Sequence, residues 1–220
     1  MIDVGLRITF TRALLPLVLA VLTSCATEGT DRSGSSQTEL ANPQRAYADE
    51  TYEVKIIDRS KFAPSYQPAV VTAPRGYSSG TIVVDTGAKQ LFLIGNGGKA
   101  RRYGIAVGAT GHAWAGKATI GRMAKWPAWH PTDDMRTQAR QLPGRIAPGT
   151  ANPLGARALY LYTGGSDTLY RIHGTSEPWT IGTEASSGCI RMLNEDVIDL
   201  YQRVSIGTSV VVVVGNAEHG

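Results

Sequence analysis

Thr81-Ile-Val-Val-Asp-Thr-Gly-Ala-Lys-Gln-Leu-Phe-Leu-Ile94 decides the fold. Two short runs of branched and aromatic residues, Thr81 to Val84 and Gln90 to Ile94, flank the turn Asp85-Thr-Gly-Ala88. Gly95-Asn-Gly-Gly98 turns the chain again, and Arg102-Tyr-Gly-Ile-Ala-Val107 supplies a third run. Short β-prone runs bounded by turn residues read as strands, and strands joined so closely form an antiparallel meander. Leu159-Tyr-Leu-Tyr162 and Leu169-Tyr-Arg-Ile172 repeat the pattern around Thr163-Gly-Gly-Ser-Asp167. Ser209-Val-Val-Val-Val-Val214 is apolar on both faces, so it belongs inside the sheet. One helix stands out. Asn194 is placed to cap it, Glu195 and Asp196 fall in its first turn, and Val197, Leu200, Tyr201 and Val204 recur on one face. Asp133 to Leu142 fits a second, short helix.

Composition agrees with a mainly β chain. The 220 residues include 25 glycines and 11 prolines, a density that suits many turns and not a helix bundle. A hydrophobic fraction of 42% with 18% charged residues excludes wholesale disorder. The net charge is only +4 and no basic run occurs, which excludes a nucleic-acid binder. Two cysteines cannot build a disulfide scaffold, and four scattered histidines do not make a zinc site, so no metal or cofactor is expected. The stretch from Gly108 to Ala158 reads as one long Gly/Pro/Trp-rich loop, the kind that forms lids and binding surfaces. Of its tryptophans, Trp114, Trp126 and Trp129, at least one is expected to line a substrate groove, with Trp129 the candidate; packing of the loop on the sheet is the alternative.

The N-terminal part reads as an address and a tether. Arg7 and Arg12 precede the apolar run Ala13 to Val21, which suits a signal peptide and is too short to span a bilayer. Leu22-Thr-Ser-Cys25 resembles the lipobox of bacterial lipoproteins, in which small residues admit the processing enzymes and the cysteine thiol takes a lipid. That resemblance implies a signal peptide over 1–24, lipidation at Cys25, a membrane held through the lipid anchor, and an exported protein of the cell envelope or periplasm. By resemblance to Gram-negative lipoproteins, Ala26 after the cysteine implies passage to the outer membrane. Residues 25–78, poor in large apolar groups at their start and carrying Phe62-Ala-Pro-Ser-Tyr-Gln-Pro68 later, read as a flexible tether. The folded domain is expected over 79–215, with a short tail at 216–220.

Chemistry concentrates in two neighbouring stretches. Arg171-Ile-His173-Gly174-Thr175 ends a strand, and Ser186-Ser187-Gly188-Cys189-Ile190-Arg191-Met192 precedes the helix. An unpaired cysteine in an exported protein is exposed to oxidation, so it needs a reason to be there. Gly188 removes side-chain bulk beside the sulfur and lets another backbone approach. The helix start and Arg191, which points to the same side in extended chain, are expected to favour the thiolate. His173 is placed to take the thiol proton and later protonate a leaving amine.

Together, His173-Gly174-Thr175 and Ser186-x-Gly188-Cys189-Ile190-Arg191 resemble the signature of the L,D-transpeptidases, the YkuD or ErfK/YbiS/YcfS/YnhG family. The likeness covers about residues 80 to 214 and includes Asn152-Pro-Leu-Gly-Ala-Arg157 and Asn194-Glu-Asp196. It implies a β-sandwich of mixed sheets with one packed helix. It implies peptidoglycan stem peptides as substrates, Cys189 as nucleophile through an acyl-thioester, and 3–3 cross-links as product. In that reading His173 is the base and Arg191 orients the site. The main chain around Gly188 and Cys189 holds the oxyanion, Ser186 and Ser187 support the loop, and Gly174 and Thr175 contact substrate. Many relatives carry histidine where this chain has Ser187, so no role is transferred to that position. Carbapenem-type inhibitors are expected to acylate Cys189. An L,D-carboxypeptidase or a protein-to-peptidoglycan anchoring enzyme would use the same thioester. A non-catalytic, membrane-tethered wall-binding domain is the alternative of another class.

Overall fold

The computed structural model describes residues 43–108, 114–185 and 188–215. The expected signal peptide, Cys25, the first part of the tether, Ser186, Ser187 and the tail lie outside these residues. Nine strands form one mixed sheet. They are β1 (Ala69–Thr72), β2 (Ile82–Asp85), β3 (Gln90–Ile94), β4 (Lys99–Gly104), β5 (Gly116–Lys125), β6 (Arg157–Thr163), β7 (Ser166–His173), β8 (Ile190–Arg191) and β9 (Ser209–Val213). Among the described residues two α-helices join them, α1 (Asp133–Gln138) and α2 (Asn194–Arg203). The strand order is β1-β4-β3-β2-β9-β5-β6-β7-β8. The meander β2-β3-β4 is antiparallel throughout. β9 lies in the middle, parallel to β2 and antiparallel to β5, as its two-sided valines require.

The sandwich is made from one continuous ladder. A single core cluster draws Ile82, Leu91 and Tyr103 from one wing and Leu159, Leu161 and Ile172 from the other. Val197 and Leu200 of α2 join the same cluster. Each such side chain contributes about 2 kcal/mol on leaving water, so this shared core fixes the wings against each other. Opposite the helix, Tyr103 donates to Asp199 Oδ2 at 2.6 Å, which ties α2 to β4.

Three expectations need correction. First, the stretch from Gly108 to Ala158 is not one loop, because β5 occupies ten of its residues. Its inward residues, Ala118 and Ile120, are too few and small to give a clear alternating pattern. Second, Asn194 does not cap α2. Leu193 holds the cap position, with no side-chain hydrogen bond. Third, the later part of the expected tether, 43–78, is built into the domain. β1 pairs with β4. Val54 is 1% exposed and packs with Trp126, Ala156 and Ile198. Glu50 accepts from Trp126 Nε1 at 2.8 Å and pairs with the buried Arg157. Arg59 grips Asp196 through two hydrogen bonds of 2.9 and 2.7 Å, and Ile57 N donates to Glu195 Oε1. A composition argument asks only whether a segment can bury its own surface. This arm is held by partners distant in sequence, as far as 138 residues away.

Candidate active site

β7 delivers His173 and β8 delivers Arg191, and the two strands run parallel with His173 opposite Arg191. β8 is short but gripped on both sides. Ala106 and Arg191 exchange backbone hydrogen bonds of 2.9 Å, and Met192 N donates to His173 O at 2.8 Å. Paired residues share a face, as do residues two apart on one strand. Arg171 and His173 therefore line one face, with Arg191 beside them. Cys189 stands two residues before Arg191, one diagonal step from His173. Its half-buried sulfur lies 4.0 Å from Leu169 O, and the main chain and guanidinium of Arg171 hydrogen-bond to it. Gly188 just before it has φ +118, a backbone only glycine adopts freely.

The electrostatics run against the expected resting thiolate. Burial pushes the Cys189 thiol up, and the positive charge of Arg171 and Arg191 only partly opposes this. Burial likewise lowers the His173 pKa from 6.5 to about 4, helped by Arg191 and Arg171 and opposed by the bond to Gly174. Both groups are thus neutral at neutral pH. The cause is desolvation, which nearest-neighbour reading of charges along the sequence misses. His173 is 4% exposed, and its Nδ1 lies 2.6 Å from Gly174 O. A carbonyl only accepts, so Nδ1 carries the proton and Nε2 keeps a free lone pair.

Asn194 explains how the strand ends are locked. Its Oδ1 accepts from Ala156 N at 2.9 Å and Thr175 N at 3.3 Å, while Nδ2 donates to Thr175 O at 3.0 Å. One amide therefore joins the start of α2, the segment after His173 and the loop before β6. The space it fills exists because Gly174 has no side chain: a Cβ there would fall 2.2 Å from Asn194 Oδ1. Within the motif Asn152 to Arg157, Asn152 is buried and binds Ile146 O, Ala147 O and Leu154 N, shaping the same loop.

The structure brings His173, Gly174, Thr175, Gly188, Cys189 and Arg191 into one neighbourhood. Arg191 is also engaged by Glu177, at 2.8 Å. Trp129 shows no contact with these residues. Its backbone pairs with Ile146, and it borders neither the small cavity beside Gly188 nor the cleft beside Thr175. Trp114 is the tryptophan found beside Gly188. It stacks on Tyr170 with ring centroids 5.6 Å apart, and both rings border a cavity of about 10 Å³ with Gly188 and Ile190. Arg171, Glu177 and Asn194 were given no such role by the sequence. Arg171 was readable in hindsight, being two residues before His173 on a strand. Glu177 carried no signal. Among the described residues no cluster of three or more His, Cys, Asp or Glu could hold a metal ion, and no helix is long and apolar enough to cross a membrane.

Residues 79–212 match the YkuD family, described as L,D-transpeptidase catalytic domain. The probable L,D-transpeptidase ErfK/SrfK of Escherichia coli K12 is 32% identical over 133 residues, covering 59% of this chain and 38% of that protein. The putative L,D-transpeptidase YkuD of Bacillus subtilis 168 is 37% identical over 131 residues, covering 60% of this chain and 64% of that protein. A solved structure from Brucella melitensis, described as a probable carnitine operon oxidoreductase, is 50% identical. It covers 69% of this chain and 96% of that one, with a TM-score of 0.48. The match thus spans well under half of ErfK/SrfK. The match to the YkuD family takes in β2 to β8, α2 and most of β9 together with His173, Cys189 and Arg191, and the chain belongs to the family of L,D-transpeptidase catalytic domains.

Proposed function

We propose that this chain is a cysteine-dependent transpeptidase of peptidoglycan stem peptides that forms 3–3 cross-links. The observation that carries this reading is the neutral imidazole of His173, its Nε2 lone pair left free by the Nδ1 bond to Gly174, on the face that holds a half-buried thiol. In the first half-reaction Cys189 Sγ attacks the carbonyl of an L-centre that precedes a D-residue. His173 takes the thiol proton as the C–S bond forms, and then gives it to the departing amine as the peptide bond breaks. A thioester remains. An amine from a second stem attacks it and loses its proton to His173 as the C–S bond breaks, and His173 passes that proton to the departing sulfur, restoring the neutral thiol and imidazole. Because thiol and imidazole both rest neutral, proton transfer accompanies attack and no standing ion pair is needed. The main-chain N–H groups around Gly188 and Cys189 are the donors proposed for the oxyanion. Arg191, held by Glu177, orients the site.

The test is direct. Purified protein is incubated with tetrapeptide-bearing muropeptides and the products are separated by mass. Cross-linked dimers support the proposal; tripeptides alone assign a carboxypeptidase. Cys189→Ser is expected to abolish product with the fold retained, and undiminished cross-linking by that variant refutes the nucleophile. A carbapenem is expected to add its mass at Cys189. Export and lipid anchoring through Cys25 belong to the same proposal, tested by loss of membrane association in Cys25→Ala.

A further inference from the structure

A second cleft, of about 390 Å³, opens next to the strand end that carries His173. Glu53 and Lys55 of the N-terminal arm line one part of it, Thr150 and Ala151 another, and Ser176 to Trp179 a third. Thr175 and Asn194 also border it, but their side chains are already committed to Glu177 N and to the 156 and 175 main chain. Glu53, Lys55, Thr150 and Ser176 are different: among the described residues their side chains have no hydrogen-bond or ionic partner.

Trp179 is the odd residue. Its indole is 71% exposed, on a single 3-10 turn, at the rim of a polar cleft. An aromatic ring with one apolar face and nearby polar groups suits a ligand that is itself apolar on one face and polar at its edge. Charge narrows the choice further. Glu177 is neutralised by Arg191 at 2.8 Å, and Lys55 offsets Glu53 within the same cleft. A site of balanced charge gives a cation or an anion no advantage. A sugar ring meets all of these conditions: its C–H face lies on indole, and its hydroxyl and acetamide groups bond to hydroxyls and a carboxylate.

We infer that this cleft is a subsite for an N-acetylated amino-sugar ring of the glycan strand. The inference rests on the proposed function, since the glycan is what carries the stem peptide. The wall is preformed. Glu50 is bound to Arg157 on one side of Glu53 and Lys55, and Ile57 and Arg59 are bound to α2 on the other. Thr175 is two residues from His173, a span of at most about 7 Å. A sugar held here leaves its stem peptide a short path to Cys189. Glu53 and Lys55 lie outside the segment that matches the family, so the arm adds this wall to the catalytic domain.

The experiment titrates a tetramer of β-1,4-linked N-acetylglucosamine into the protein by calorimetry, with circular dichroism confirming the fold of each variant. The parent protein is expected to bind at millimolar sugar, Trp179→Ala to bind about tenfold more weakly or not at all, and Trp179→Phe to keep most of the affinity. No binding by the parent, or equal binding by Trp179→Ala, overturns the subsite. A second readout compares kcat/KM for disaccharide-tetrapeptide with that for free tetrapeptide. The ratio is expected to exceed one in the parent and to fall towards one in Trp179→Ala; a ratio of one in the parent overturns the subsite. If neither substrate is turned over, the proposed function fails while the titration still decides the cleft.

Discussion

Lowering the pH is the sharpest probe of His173. In the folded chain its pKa falls from 6.5 to about 4 through burial, so between those values the unfolded chain binds a proton that the folded chain refuses. Stability is therefore full above the unfolded pKa and is lost as pH falls from 6.5 towards 4. Summed to pH 4, that one group removes about 3 kcal/mol, at about 1.4 kcal/mol per pKa unit. Other groups titrate in the same window, so the useful quantity is a difference. Urea unfolding of the parent and of His173→Gln, each near pH 7 and near pH 4, isolates it. Glutamine keeps a donor for Gly174 O but has no proton to gain. The parent should lose about 3 kcal/mol more than the variant over that interval. Equal losses would refute the buried neutral imidazole, and with it the resting state assigned to the site. The same shift predicts an acid limb of kcat/KM nearer 4 than 6.5 in the free enzyme.

Two further outcomes are expected. Glu50→Ala strands the Arg157 guanidinium, whose side chain is 3% exposed, and should cost about 3–5 kcal/mol by denaturant unfolding, much of it recovered when Arg157→Met is added. Asn194→Ala leaves Ala156 N, Thr175 N and Thr175 O without that amide. It should cost about 2–4 kcal/mol in thermal unfolding and change the rate of Cys189 alkylation; parent-like values for both would remove Asn194 from its joining role.

The parts legible in the sequence were those whose signal is local. β2, β3 and β9 announce themselves because β-branched runs meet turn residues, and α2 because Val197 and Leu200 recur on one face. The placement of His173, Cys189 and Arg191 on one face follows from strand alternation once the two strands pair. The illegible parts depend on distance in sequence. β5 hides because alanine and glycine fill much of it, and the arm hides because Glu50 and Arg59 are useful only opposite Arg157 and Asp196. Asn194 looks like a cap and instead spends its amide on other segments. The thiol was misjudged for a related reason. Its charged neighbours can be seen in the sequence, but the loss of water around it cannot.

The way the arm is fastened bears on mechanical load. A pull transmitted from the chain upstream of Pro43 meets the Glu50–Arg157 pair first, then the Arg59–Asp196 clasp, and then the edge pairing of β1 with β4. The first two fastenings grip Arg157, whose carbonyl accepts from Gly174 N, and the first turn of α2 just after Arg191, so tension on that leader is delivered beside the reacting groups before β1 parts from β4.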